Sequence, residues 1–185
     1  MSIKSMKIIN REKSGFTLVE LMVVVAIIGI LAAVVYANFN DARAQSRDKA
    51  RMVALKEAQL ALEFYKAQYG QYPAQGCGGA NTFAGPGSAT AGFAQCDDYM
   101  QGLVPDFLPE LPRDPNRENE AGVGFYYQTN ASRTAYKLMS YQAVEQILIT
   151  GYGDELARCP SASGQCAGSF FPNAYAVYSV GAETW

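Results

Sequence analysis

Between Leu21 and Ala37 the chain reads Leu-Met-Val-Val-Val-Ala-Ile-Ile-Gly-Ile-Leu-Ala-Ala-Val-Val-Tyr-Ala, without a charge. Phe16-Thr17-Leu18-Val19 extends the run upstream, with Glu20 as the single interruption. A bilayer-spanning helix needs roughly 20 mostly apolar residues at about 1.5 Å each, and residues 16–37 meet that requirement. Glu20 is the anomaly. A carboxylate at membrane depth costs about 2.5–3.5 kcal/mol on insertion scales, and the same helix offers no Lys or Arg as a partner. Either Glu20 sits near the helix end and reaches the headgroups, or its partner belongs to another molecule.

The 185 residues leave room for one membrane segment and one modest domain. The net charge of −2 and the lack of a basic stripe or nucleic-acid module give no reason to expect nucleic acid as a partner. Histidine is absent, which removes Ser-His-Asp and Cys-His nucleophile pairs, His zinc ligands and the commonest general base. A single-pass tethered enzyme is therefore the least favoured reading, and no catalytic residue is assigned.

Ahead of the apolar run, Lys4, Lys7, Arg11 and Lys13 stand against Glu12. A secretory signal has this basic start, followed by a short apolar stretch and a small-residue cleavage site. Here the run is long for a signal, and Val35-Tyr36-Ala37 is a weak site; cleavage before the run, at Gly15-Phe16, is the other possibility. Charge alone leaves the topology open, because Arg43, Arg47, Lys49 and Arg51 follow the run as closely as the leader charges precede it.

The stretch from Ser14 to Ala33, with Gly15-Phe16 and then Glu20 ahead of an unbroken apolar helix, resembles the N-terminal signature of the type IV pilin superfamily, which includes type IV pili and the pseudopilins of type II secretion. The resemblance implies cleavage by a prepilin peptidase between Gly15 and Phe16, N-methylation of the new Phe16 amine, and a filament in which the Phe16 ammonium of one subunit faces Glu20 of the next. Two opposite buried charges are tolerable where one is not. It also implies an inner-membrane precursor with its head outside the cytoplasm, a homo-oligomeric helical filament, an assembly platform and minor pilins as partners, and no nucleic acid outside a DNA-uptake pilus. Many members carry Pro near the end of the run, where this chain has Tyr36-Ala37-Asn38.

From Asn38 to Tyr69 there is neither Pro nor Gly. Leu55, Ala58, Leu62, Tyr65 and Tyr69 recur at helical spacing, with Lys56, Glu57, Glu63 and Lys66 opposite, so an amphipathic helix continues and needs a domain to cover its stripe. Gly70 and Pro73 end it. The charged middle, Asp41 to Arg51, reads as a solvated face rather than a lipid-binding one. The expected organisation is a leader over 1–15, a membrane or filament-core helix over 16–37, an amphipathic helix over 38–70 and a head over 71–185.

In the head, Gly76 to Gly92 is rich in Gly, Ala, Ser and Thr and reads as a flexible loop. Residues 97–120 are acidic and Pro-rich, anchored by Leu103, Val104, Phe107, Leu108 and Leu111. Asp97, Asp98, Asp106, Asp114, Glu118 and Glu120 offer oxygen ligands for calcium, which the family often binds in a nearby acidic loop. They lack regular ligand spacing, so no cofactor is assigned and calcium is the less favoured reading. Val123–Gln128 and Ala135–Val144 read as strands joined by a turn over 129–133, and Tyr175–Val180 as a third. Asn130-Ala131-Ser132 matches a glycosylation sequon too short to separate from chance. The expected fold is α+β: a long N-terminal helix packed on a small antiparallel sheet.

Cys77, Cys96, Cys159 and Cys166 lack zinc-site spacing. Four cysteines allow three connectivities. Cys77–Cys96 and Cys159–Cys166 are preferred, because each closes a loop of small residues; chain entropy gives roughly 2.5 kcal/mol for the shorter and 3.3 for the longer. Disulfides place the head outside the cytoplasm. By resemblance, a terminal disulfide loop is more typical of type IV pilins than of major pseudopilins. The function expected is a structural filament subunit, with a minor or tip subunit that primes assembly or binds DNA or a surface receptor as the alternative.

Overall fold

A computed structural model describes residues 15–79, 82–117 and 120–185. The basic leader and Glu118 lie outside the described residues. The chain divides into two compact units, Met1–Asn40 and Asp41–Trp185.

One helix, α1, runs Leu18–Tyr69. Its part in the first unit is long and apolar enough to cross a membrane. Leu21, Met22, Ile27, Ile30 and Val34 are all exposed there. An apolar cylinder of this kind is stable only when lipid or other protein covers it.

In the second unit α1 carries the stripe that the head covers. Leu55, Ala58, Ala61 and Leu62 are buried at the i, i+3, i+4 spacing that puts them on one face. Gly70 takes φ +75 and its N–H donates to the Lys66 carbonyl, so the left-handed residue closes the last turn.

Against this stripe lies a five-stranded sheet. Its strands, in chain order, are β2 (Phe83–Gly85), β3 (Phe93–Gln95), β5 (Gly124–Thr129), β6 (Tyr136–Tyr141) and β7 (Tyr175–Tyr178), arranged β3-β2-β5-β6-β7. A separate antiparallel pair joins β1 (Ala74–Gln75) to β4 (Met100–Gln101). In the large sheet only β2–β3 is parallel. The central hairpin pairs Thr129 with Tyr136 and Gly124 with Tyr141. Asn130 builds its turn: the side-chain oxygen accepts from the Thr134 and Ala135 N–H groups, and the amide donates to Thr134 Oγ1. The sequon asparagine thus has a structural use.

Strand alternation divides the aromatic residues between two cores. Phe125, Tyr127, Tyr136, Leu138, Tyr175 and Val177 join the α1 stripe. Tyr126, Met139 and Ala176 face the other way and cluster with Phe83. Phe93, Tyr141, Tyr178 and Trp185 pack around them. Each fully buried aromatic contributes roughly 1.5–3 kcal/mol of transfer free energy, so both faces matter to the fold.

Three expectations are corrected. Gly76 to Gly92 is not simply a flexible loop, because it contains the buried strand β2. A Cβ at Gly85 would lie 2.1 Å from the Phe125 carbonyl oxygen, and one at Gly87 would lie 2.5 Å from the Tyr126 hydroxyl. The small residues allow close approach of backbone and ring, a role that composition alone does not distinguish from looseness. Val104 is exposed and anchors nothing, whereas Leu103 beside it is buried. The Asp41–Arg51 stretch is not uniformly solvated: Asp48 and Arg51 are completely buried.

Gly85→Ala should lower head stability by about 1–3 kcal/mol, the usual range for overpacking. Gly79→Ala, where a Cβ meets nothing, should leave the melting temperature unchanged. Thermal unfolding of the two variants checks this, and equal melting temperatures would contradict the close-approach reading.

Candidate functional site

The residues singled out at the N-terminal end fall at the start of α1. Thr17 is the residue before the helix. Its hydroxyl accepts from the Glu20 backbone N–H at 3.2 Å, and Glu20 Oε2 accepts from the Thr17 backbone N–H at 2.9 Å and from the Thr17 hydroxyl at 2.8 Å. This reciprocal arrangement is a capping box. It satisfies donors that a helix start leaves open and places a carboxylate at the positive end of the helix dipole. The Thr-x-x-Glu spacing is a local sequence signal for this cap, distinct from any ionic partner of Glu20. Phe16 is 92% exposed, and a Cβ at Gly15 would meet nothing within 4 Å.

The second constellation, which the sequence pattern does not show, is an ionic node where α1 meets the head. Arg51 donates through Nε and Nη2 to both Asp114 oxygens at 2.7 and 2.9 Å, and through Nη1 to Asp48 at 2.8 Å and Glu145 at 3.0 Å. Arg47 donates to Glu145 at 2.7 Å. Asp48 also accepts from the backbone N–H groups of Glu145, Gln146 and Ile147. Gln146 to Ile149 forms neither strand nor helix: the Gln146 and Ile147 N–H groups bind this helix side chain, and the Ile149 N–H donates to the Pro172 carbonyl.

The charges hold one another. The hydrogen bond from Arg47 is the largest influence on Glu145; with help from Arg51 it outweighs burial and brings the carboxyl down to about 2. Burial alone would raise Asp114, but hydrogen bonds from Arg51 and from the Asn116 and Arg117 N–H groups leave it below the ordinary value. Burial opposes the Arg51 charge, and its carboxylate partners more than restore it.

The acidic calcium candidates are dispersed. Asp114 belongs to Arg51, Asp97 pairs with Arg113, and Glu120 pairs with Arg117. Among the described residues, no group of three or more His, Cys, Asp or Glu is placed to hold a metal. Cys77 is joined to Cys96 and Cys159 to Cys166, so the first bridge closes the segment that carries β2 and β3.

Residues 10–36 match the family described as the prokaryotic N-terminal methylation motif. The chain is 35% identical to a fimbrial protein of Neisseria meningitidis over 51% of this chain and 55% of that protein. It is 44% identical to the type IV major pilin protein PilA of Myxococcus xanthus over 34% of this chain and 30% of that one. It is 41% identical to the type II secretion system core protein G of Pseudomonas aeruginosa over 35% of this chain and 45% of that one. The chain spans about half the length, or less, of these relatives. No solved structure matches.

The fold and the motif define a class: an α+β head on an apolar helix that bears a methylation signal. In this the chain is similar to type IV pilins and to a type II secretion core protein, the relatives that share its N-terminal motif and helix. These relatives are named as fimbrial, pilin and secretion-system core proteins, and none of the three names denotes an enzyme.

The node predicts a pH dependence. The Glu145 carboxyl has a folded-state pKa below its unfolded one, so its contribution is present above about pH 4.5 and is lost as pH falls toward 2. Melting temperature should fall across that window, and Glu145→Gln should flatten the fall. Arg51→Met should cost about 3–5 kcal/mol, because it leaves buried carboxylates without their cation. An Arg51→Met head as stable as wild type in urea would refute the assignment.

Proposed function

We propose that the chain is a structural filament subunit, made as an inner-membrane precursor with its head outside the cytoplasm. A prepilin peptidase cuts it between Gly15 and Phe16, and the Phe16 amine is N-methylated. It then polymerises through the apolar half of its helix with copies of itself, an assembly platform and minor subunits. The observation that carries this reading is the exposed apolar helix in the first unit. Lipid can cover that surface in the precursor, and neighbouring helices can cover it in a filament. Gly15 is compatible with this reading: the fold leaves room for a side chain there, so nothing in the subunit itself requires glycine. The mixture of pilus and secretion proteins among the relatives fits a filament subunit as the common denominator.

Glu20 is assigned to assembly. In a filament the Phe16 ammonium of one subunit faces the Glu20 carboxylate of another, and removal of one member leaves a buried charge costing ~3–5 kcal/mol. Because Glu20 also caps its own helix, two variants are needed. Thr17→Val removes the hydroxyl half of the cap, worth about 0.5–2 kcal/mol, and keeps the acid; filament yield should stay near wild type. Glu20→Ala should insert normally, keep a folded head and lose most filament. Equal assembly by Glu20→Ala at equal membrane level would remove the inter-subunit pair and favour a minor, priming subunit.

Processing is read by mass spectrometry of the membrane protein, with N-methylated Phe16 expected as the first residue. A mature terminus at Asn38 would mark the run as an ordinary signal and end the filament reading.

A further inference from the structure

The sheet face turned away from α1 holds two buried cations, and they are treated differently. Lys137 is fully buried, and its ammonium donates to the Glu183 and Trp185 carbonyl oxygens at 2.9 and 3.0 Å. Two of its three donors have acceptors. Arg158 is 6% exposed. Its guanidinium carbon lies 4.0 Å from the Phe171 ring centre and 5.0 Å from that of Tyr141, and the two rings are themselves 6.2 Å apart. Nε has no hydrogen-bond partner. Among the described residues no carboxylate pairs with this guanidinium, whereas Arg47, Arg51, Arg113 and Arg117 all have one.

A guanidinium presents a planar fork of five donors that matches a carboxylate or phosphate. Two rings provide favourable cation–π contact for such a group, but they leave its Nε–H without an acceptor. A buried charge in this state carries an uncompensated desolvation cost. That cost shows as a pKa drawn below the usual value, mainly by burial, with the Tyr141 hydroxyl only a partial offset. Burial and the nearby Arg158 charge in turn pull the Lys137 ammonium down to about 7. Tyr141 and Phe171 also line an open cleft with Arg117, Gln142 and Asn173, so the cleft borders the two residues against which the guanidinium is set.

We propose that the Arg158 guanidinium, set against Tyr141 and Phe171, is a binding site for an oxyanion, a carboxylate or a phosphate, that comes from outside the head. The site belongs to the single subunit and does not require the filament reading.

The test uses the full chain in detergent micelles, with inorganic phosphate as the probe and chloride to hold ionic strength constant. Phosphate should move the Arg158 Nε–H resonance saturably and raise the melting temperature. Arg158→Met should remain folded, since a neutral chain of similar length removes a buried charge, and should weaken phosphate binding about tenfold or more, the scale of charge-assisted hydrogen bonds. Arg158→Lys keeps the charge without the fork and should be intermediate. Repeating the titration on assembled filaments separates the sources: a lost response identifies a neighbouring copy's carboxylate as the occupant, and a retained response identifies a free oxyanion. An Nε–H resonance that does not move in the wild type, or an equal response in Arg158→Met, overturns the site.

Discussion

The head depends on the side chain of Arg51, which reaches three acidic residues at the point where the helix meets two loops. Exchange of such a buried cluster for apolar residues is often neutral or stabilising, so its significance is geometric. Asp114 fixes the Pro-rich segment, and its Oδ1 also accepts from the Asn116 and Arg117 N–H groups. Asp48 fixes the segment after β6 through three successive backbone N–H groups. A rotation of α1 about its axis would break both attachments together. The apolar stripe of Leu55, Ala58 and Leu62 is non-directional and tolerates small slips. The ionic node sets the register that the stripe does not.

The same separation of tasks runs through the sheet. Its inner face is joined to the helix by apolar area, with polar atoms used to tie down chain crossings: the Tyr127 hydroxyl donates to the Pro73 carbonyl and the Tyr99 hydroxyl to the Pro112 carbonyl. Cross-links hold the segments that border the sheet. Cys77–Cys96 holds the β2–β3 segment, Lys137 takes two carbonyls of the 183–185 segment, and the Cys159–Cys166 loop begins beside Arg158. Small residues allow the layers to approach, and cross-links then restrict segments too poor in apolar surface to hold themselves.

What was legible in the sequence follows from what kind of physics a pattern encodes. The apolar run, the helical stripe and the strand alternation of Gly124–Thr129 and Tyr136–Tyr141 are periodic, and period determines which face is buried. Strand β2 is three residues of Phe, Ala and Gly, too short to show a period, and its burial depends on a Tyr126 ring 43 residues later. The Arg51 node was invisible for a related reason. Asp48 and Arg51 are one helical turn apart and look like an ordinary exposed pair; only Asp114 and Glu145, 63 and 94 residues away from Arg51, make them a buried one. Gln146 to Ile149 looks like a strand extension because its apolar side chains are visible, while the carboxylate that claims its Gln146 and Ile147 N–H groups is not. The Thr17–Glu20 cap is local, three residues apart, and its Thr-x-x-Glu signature is legible in the sequence.

That cap bears on how one carboxylate serves two states of the proposed filament subunit. Both donors from Thr17 end on Glu20 Oε2, and a carboxylate has about four acceptor sites on its two oxygens. Oε1 is therefore left for a second donor without disturbance of the first. In the precursor the cap spreads the charge over the helix start, where the dipole favours it, and this reduces the penalty of a carboxylate near lipid without any second molecule. In the proposed filament the ammonium of a neighbour meets an acid whose rotamer is already fixed by Thr17, so less side-chain entropy is lost on pairing. Aspartate, one methylene shorter, could keep a capping contact or reach the neighbour, but a shorter arm satisfies both only if the backbone moves. Reach is then what suits Glu20 to both states, with one oxygen held by its own helix and the other left for the neighbour.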